Sequence, residues 1–233
     1  MLSHRLLAAA LVAASSIVAS ASADLVVGWT IPTAFPVNPP LTGTTYSVGA
    51  ADQGANAFGS NLSSTHAVSA ATYTSPAGNG SQFSFSSNNW SVGDYYEARF
   101  STLGFTDLQL SWDQARSSTG PSTFELIMSV DGGNTFTTLI GSYTVLQSGG
   151  GGSPGTWTSG TYNPIYTSAI ALDASAADQG DVILRFRSIS AAGGVTGSNR
   201  IDNVFVNGSL IPAPGAIAAF GLVGVLGIRR RRG

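Results

Sequence analysis

Twelve carboxylates carry most of the reactive chemistry this 233-residue chain can offer. Cysteine is absent, which removes thiol nucleophiles, disulfides and cysteine-ligated zinc or iron–sulfur sites. His4 falls in a leader-like segment, so His66 is the one histidine left for a folded domain, too few for a multi-histidine metal site. Glycoside hydrolysis needs two facing carboxyl groups. The candidate pairs are Asp94 with Glu97, Asp107 with Asp113, and Asp178 with Asp181. Both glutamates, Glu97 and Glu125, alternate onto the polar side of strand-like segments, and scattered acids form such pairs without design. The expectation is a protein that is not an enzyme.

Calcium is the ion this composition suits, because it takes oxygen ligands and needs neither histidine nor thiolate. Asp202, in the last strand-like segment, is the acid chosen for it, with Asp24, Asp173, Asp178 and Asp181 as possible partners. The alternative is that Asp202 pairs with Arg200 or with an arginine of a neighbouring strand. Sugar rings stack on exposed aromatics, and Trp90, Tyr95, Trp157, Tyr162 and Tyr166 sit near turns or in the loop-rich stretch. Trp29 and Trp112 alternate with polar residues and read as core. Residues 129–136, Ser-Val-Asp-Gly-Gly-Asn-Thr-Phe, fit the Asp-box pattern S-x-D-x-G-x-T-W with Phe136 for the aromatic. One copy reads as a hairpin: Asp131 caps the turn and the glycines take positive φ.

The elements that must position these groups are strands. Glycine, serine and threonine supply 82 residues, a composition that disfavours helices. Period-two alternation recurs: Leu108, Leu110 and Trp112; Phe124, Leu126, Met128 and Val130; Val182, Leu184 and Phe186; Tyr96, Ala98 and Phe100. Further strands are expected over 25–30, 67–73, 82–86, 136–146, 165–172 and 200–206. About ten short strands between Gly, Pro, Asn and Ser turns predict one all-β domain, an antiparallel β-sandwich or jelly roll, over 24–210. The stretch 148–155 reads as a long loop inside that domain, and 31–66 as irregular chain wrapping it. The domain holds five arginines, no lysine and all twelve acids, a net charge of −7. Such a domain repels phosphate backbones, so no nucleic-acid partner is expected.

The flanks read as addresses. Residues 1–23 run from a basic start through an apolar stretch to Ala21-Ser22-Ala23, the order of a secretory signal peptide cleaved by signal peptidase before Asp24. Residues 211–233 comprise a proline-broken lead-in, an uncharged apolar run over 216–228, and Arg229, Arg230, Arg231 and Arg232. Thirteen helical residues reach about 20 Å, short of the roughly 30 Å of bilayer hydrocarbon. The arginines would stay on the cytoplasmic side, leaving the domain outside.

This tail, with Pro212, Ala213, Pro214 and Gly215 ahead of the apolar run and arginine cluster, resembles the PEP-CTERM sorting domain, with Ala213 where the family usually has glutamate. The resemblance implies an exosortase as processing partner, removal of the tail near Pro212 and Pro214, transient or permanent retention in the inner membrane through the C-terminal hydrophobic helix, and association with exopolysaccharide at the cell surface or in the matrix. The segments 93–97, 112–121 and 200–204 also look like the jelly-roll domains found ahead of such tails. Two functional readings follow: a non-enzymatic exported surface or matrix protein, and a carbohydrate-binding, lectin-like module using loop aromatics and calcium. A secreted hydrolase comes third.

Overall fold

The computed structural model describes residues 23–34 and 41–212. Ala21, Ala213, Pro214, Gly215 and Arg229 to Arg232 lie outside the described residues. Ala23, Asp24 and Pro212 lie within them.

Thirteen strands follow in order: β1 (Asp24–Trp29), β2 (Leu41–Thr42), β3 (Thr45–Gly49), β4 (Asn61–Thr65), β5 (Thr72–Thr74), β6 (Phe85–Asn88), β7 (Tyr95–Phe100), β8 (Phe105–Arg116), β9 (Thr123–Ser129), β10 (Thr137–Thr144), β11 (Thr167–Ala171), β12 (Val182–Ser188) and β13 (Ser198–Leu210). One sheet has seven strands in the order β11-β8-β13-β6-β5-β2, with β1 also paired to β13. The other has six, in the order β10-β9-β12-β7-β4-β3. All strand pairs are antiparallel. The last eight strands fall as β6-β13-β8-β11 over β7-β12-β9-β10, which is the two-sheet strand order of a jelly roll. Among the described residues the only helical elements are 3-10 turns at Pro164–Tyr166 and Ala174–Ala176, and no helix is long and apolar enough to cross a membrane.

Alternation places one side chain in two between the sheets. Leu108, Leu110 and Trp112 of β8 face Phe124, Leu126, Met128, Leu184 and Phe186 of the other sheet, and all are buried. Trp112 meets Phe186 at 5.2 Å between ring centroids and Tyr143 at 5.6 Å, tilted and edge-on respectively. Such pairs add about 0.5–1.5 kcal/mol each beyond area burial. Ile127 and Ile183 point to the outer side yet are 4 % and 2 % exposed. The turn after β9 passes close to Ile183: a Cβ on Gly133 would stand 3.5 Å from its Cδ1.

The stretch 31–66 is not irregular wrapping. It supplies β3 and β4, which extend the six-stranded sheet beyond β7, and β2, which pairs with β5. Short runs of Ser, Thr and Gly obscured these strands because their alternation carries few apolar residues. The strand expected at 67–73 is displaced for the same reason: 67–71 is turn, and pairing resumes at β5.

Candidate functional site

β8 and β13 lie side by side in the middle of the seven-stranded sheet, and their register sets Asp113 directly opposite Asp202. Both point away from the core, since their neighbours Trp112 and Ile201 point in. Outward carboxylates are normally hydrated, but Asp113 and Asp202 are each 1 % exposed. Two loops bury them. The chain around residues 76–84 packs onto Asp202, and Gly78 makes that approach possible: a Cβ there would stand 2.3 Å from Asp202 Oδ2. The long connection after β10 brings Tyr162 and Asn163 over Asp113.

Asn79 ties the two acids together. Its backbone N–H donates to Asp202 Oδ2 at 2.8 Å, and its side-chain Nδ2 donates to Asp113 Oδ2 at 3.0 Å and to the Asn163 carbonyl at 3.0 Å. Asn203 Nδ2 donates to Asp113 Oδ2 at 2.8 Å and to the Asn79 carbonyl at 3.1 Å. The Thr167 hydroxyl donates to Asp113 Oδ1, which leaves Tyr162 to donate its own hydroxyl proton to Thr167 Oγ1 at 2.6 Å. Ser81 donates to Asp202 Oδ2. Asp202 Oδ1, buried, has no hydrogen-bond partner.

The backbone cooperates. β13 bulges between Asp202 and Phe205, and Asn203 in the bulge takes φ 47°. Asparagine tolerates this left-handed conformation better than most residues, and the bulge turns its amide onto Asp113. Above the network lies an open cleft of about 350 Å³ lined by Asn79, Gly80, Ser111, Asp113, Tyr162, Thr167, Asn203 and Phe205. Tyr162 stands at its edge, 52 % exposed. With both Asn79 and Asn203 amide donors engaged, the cleft side chains offer mainly acceptors: Asn203 Oδ1 and the remaining capacity of Asp113 and Tyr162, with the Ser111 hydroxyl able to donate or accept.

Asp202 titrates unusually. Burial pushes its carboxyl up to about 7, aided by the nearby Asp113 charge and opposed by the hydrogen bonds from Ser81, Asn79 and Asn203. The partners expected for Asp202 in either sequence reading lie elsewhere. Asp24 begins β1, Asp173 caps the second 3-10 turn, Asp178 accepts from Gly104 N, and Asp181 pairs with Arg99 at 2.7 Å, so none of the four joins it. Arg200 does not pair with it either. That guanidinium lies 5.9 Å from the Trp157 ring centre with its Nε unpartnered, and burial draws its pKa down. Residues two apart on a strand share a face, but the covering loop places Trp157 over one and Asn79 over the other. Among the described residues no group of three or more His, Cys, Asp or Glu is placed to hold a metal. The groups able to offer oxygens to a hard cation are Asp202 through Oδ1, and Asp113.

The aromatic candidates separate. Tyr162 reaches the cleft. Tyr95 is half-buried on the outer face of the other sheet, where the Arg185 guanidinium lies 4.4 Å from both the Tyr95 and Phe136 ring centres and pairs with Glu97 at 2.7 Å. Trp90, 3 % exposed, is core, packed on His66, Tyr96 and Phe124. Trp157 and Tyr166, 8 % and 3 % exposed, form a small cluster on Ala115 under the long connection, with Trp157 Nε1 donating to the Ala77 carbonyl. These three lie outside the strands, Tyr166 in the 3-10 turn Pro164–Tyr166, but chain laid against a sheet buries its aromatics.

The carboxylate pairs are dispersed as well. Asp94 is buried against His66, Glu97 holds Arg185, Asp107 is exposed while Asp113 is buried, and Asp178 and Asp181 serve Gly104 and Arg99. The Asp-box forms the expected hairpin: Asp131 accepts from Ser129 Oγ, Thr135 N and Thr135 Oγ1, and those bonds hold its carboxyl well below the usual range.

One constellation has no precedent in the sequence reading. His66 Nδ1 lies 3.0 Å from Asp94 Oδ2, and its Nε2 lies 3.1 Å from Ser64 Oγ and 3.0 Å from Ser87 Oγ. Serine, imidazole and carboxylate follow the order of a nucleophile relay. All four residues are buried, however, and the ring packs edge-on against Trp90 and Tyr73, so a substrate carbonyl has no approach. It ties β4, β6 and the turn before β7 together.

No family model and no curated protein matches the chain. Among solved structures it is similar to the CBM22-1–GH10 modules of Clostridium thermocellum endo-1,4-beta-D-xylanase 10B, at 16 % identity and TM-score 0.43, over 82 % of this chain but only 29 % of that one. It is similar to a cleaved adhesin domain of Lys-gingipain from Porphyromonas gingivalis at 14 % identity and TM-score 0.43, covering 78 % and 98 % of the two chains. The CBM22-1 xylan-binding domain of Paenibacillus barcinonensis Xyn10C is a further likeness, at 10 % identity and TM-score 0.39 over 84 % and 99 %. Likenesses this distant assign nothing to any residue here.

Proposed function

We propose that this chain is an exported, cell-surface or matrix β-sandwich that binds carbohydrate and catalyses no reaction. The observation carrying the binding reading is the cleft between Tyr162 and Asp113. Sugars present hydroxyl donors on their edges and C–H groups on their faces. A pocket that recognises them needs fixed polar acceptors beside an accessible ring. Here the acceptors are fixed by a hydrogen-bonded network reaching into the sheet, and the ring is held by its bond to Thr167. Export and sorting rest on the order of features in 1–23 and 211–233, with signal peptidase and an exosortase as processing partners and exopolysaccharide as the natural ligand class.

Binding of the leader-free protein to an array of bacterial and plant polysaccharides tests the reading. Tyr162→Ala should weaken any glycan captured by the wild type by tenfold or more, with the unfolding temperature nearly unchanged because that ring is half exposed. Capture that survives Tyr162→Ala undiminished, or no capture at all, overturns it.

A further inference from the structure

Asp113 and Asp202 are two buried acids in cross-strand register, and among the described residues no arginine pairs with either. The domain contains no lysine. No cation lines the cleft that opens onto Asp113, and apart from the Ser111 hydroxyl, which can donate or accept, the side-chain groups left free there are acceptors. The nearest arginine along the strand, Arg200, is committed to Trp157. A buried carboxylate without a counter-charge is costly, and a ligand that brings a positive charge relieves that cost as it binds. An ammonium group carries three donors and no acceptor, the complement of this lining, and the exposed Tyr162 ring attracts both cations and sugar C–H faces.

From this lining we infer that the cleft selects an amino sugar bearing a free ammonium group, in a cationic polysaccharide such as a de-N-acetylated glucosamine polymer. The inference rests on the carbohydrate reading and sharpens it. The ammonium sits against Asp113, and the pyranose ring lies toward Tyr162. An acetylated amine loses the charge and two of its donors; a uronic acid brings a second negative charge to a site that already lacks a positive one.

Three soluble β-1,4 or α-1,4 tetramers discriminate: glucosamine, N-acetylglucosamine and galacturonic acid. They are titrated calorimetrically at a pH where the amine is protonated, against wild type, Asp113→Asn and Ser111→Lys. The expected result is glucosamine tetramer binding at least tenfold tighter than its acetylated form, with no binding of the uronate. Asp113→Asn should bring the two amino-sugar tetramers within about twofold of each other. Ser111 lines the cleft on the same face of β8 as Asp113, and its hydroxyl takes no part in the bonds that hold Asp113, so Ser111→Lys places a cation beside Asp113 while leaving those partners in place and should abolish the preference even if Asp113→Asn fails to fold. Equal binding of the acetylated or acidic tetramer overturns the amino-sugar assignment and leaves the carbohydrate reading standing. Binding of none of the three overturns the assignment as well, and the polysaccharide array then decides the wider reading by itself.

Discussion

Replacing Asp202 by asparagine should make the protein more stable at neutral pH and leave it nearly unchanged in acid. The carboxyl titrates near 7 in the fold because it is buried, with Asp113 opposite and one oxygen unpartnered. In the unfolded chain it titrates near 3.9, a difference of about three units, or about 4 kcal/mol. Between about pH 4 and 7 the native state holds one more proton than the unfolded state, so this group's contribution to stability falls as pH rises through that window, and its full cost is present above it. Asparagine has the shape of the protonated acid and never ionises. The stability difference between Asp202→Asn and wild type should therefore grow by roughly 4 kcal/mol from pH 4 to pH 8. Denaturant unfolding followed by tryptophan fluorescence measures it, since Trp29, Trp90, Trp112 and Trp157 are all buried. Subtracting the two proteins removes groups of opposite sign such as Asp131 and Asp173, whose carboxyls are held low by hydrogen bonds. A difference that stays flat or shrinks with pH refutes the reasoning. Excess calcium at pH 8 supplies a second arm: a cation on Asp202 Oδ1 would raise wild-type stability and leave the variant unmoved.

Asn203→Ala should lower the unfolding temperature more than Asn203→Gly, because both lose the bonds to Asp113 and Asn79 but only alanine is strained at φ 47°; an equal loss would show that the bulge carries no backbone cost. N-terminal sequencing of protein from its own host should begin at Asp24, and a start at Met1 would remove the export reading. Intact mass from a host with an exosortase should lack Arg229 to Arg232, and Pro212→Ala with Pro214→Ala should restore them in the membrane fraction; a wild-type protein that keeps them makes the tail an ordinary anchor.

The sheets were legible because their signal is local. Leu108, Leu110 and Trp112, or Val182, Leu184 and Phe186, alternate within one strand, and a buried face demands that pattern wherever the strand ends up. β3 and β4 escaped because Thr45, Ser47, Ser63 and Ser64 satisfy the pairing without advertising it. The site was harder to read for a different reason. Alternation tells which side of its own sheet a residue occupies, and it sets Asp113 on the side opposite Leu108, Leu110 and Trp112. Whether that side meets water is decided by a loop many residues away, and nothing in residues 107–113 or 200–206 records that Gly78, Asn79 and Tyr162 will close over them. Trp157 and Tyr166 were misjudged in the same way.

The covering loops also explain where such a site can stand relative to the proposed tether. β1 runs antiparallel to the end of β13, with Asp24 opposite Gly208, and Ile211 N donates to the Gly104 carbonyl at 2.8 Å. Residues 1–22 and 213–233 therefore join the sandwich at one end, the end of the β7–β8 turn. The connection bearing Tyr162 comes from the opposite end, where β10 finishes beside the start of β9 and β11 begins opposite Asp113, whereas the loop bearing Asn79 joins β5 to β6 on the side facing the termini; the two meet over the flank of the seven-stranded sheet. On the proposed reading a tether would leave the domain beyond Pro212, at the β7–β8 end, while the Tyr162 side of the cleft is built by a connection from the other end. In the proposed reading, sorting and ligand capture draw on separate parts of the chain, residues 211–233 and the cleft between Tyr162 and Asp113. A variant that blocks tail processing should leave the affinity of the cleft untouched, and a loss of both together would show that the two ends of the sandwich are coupled.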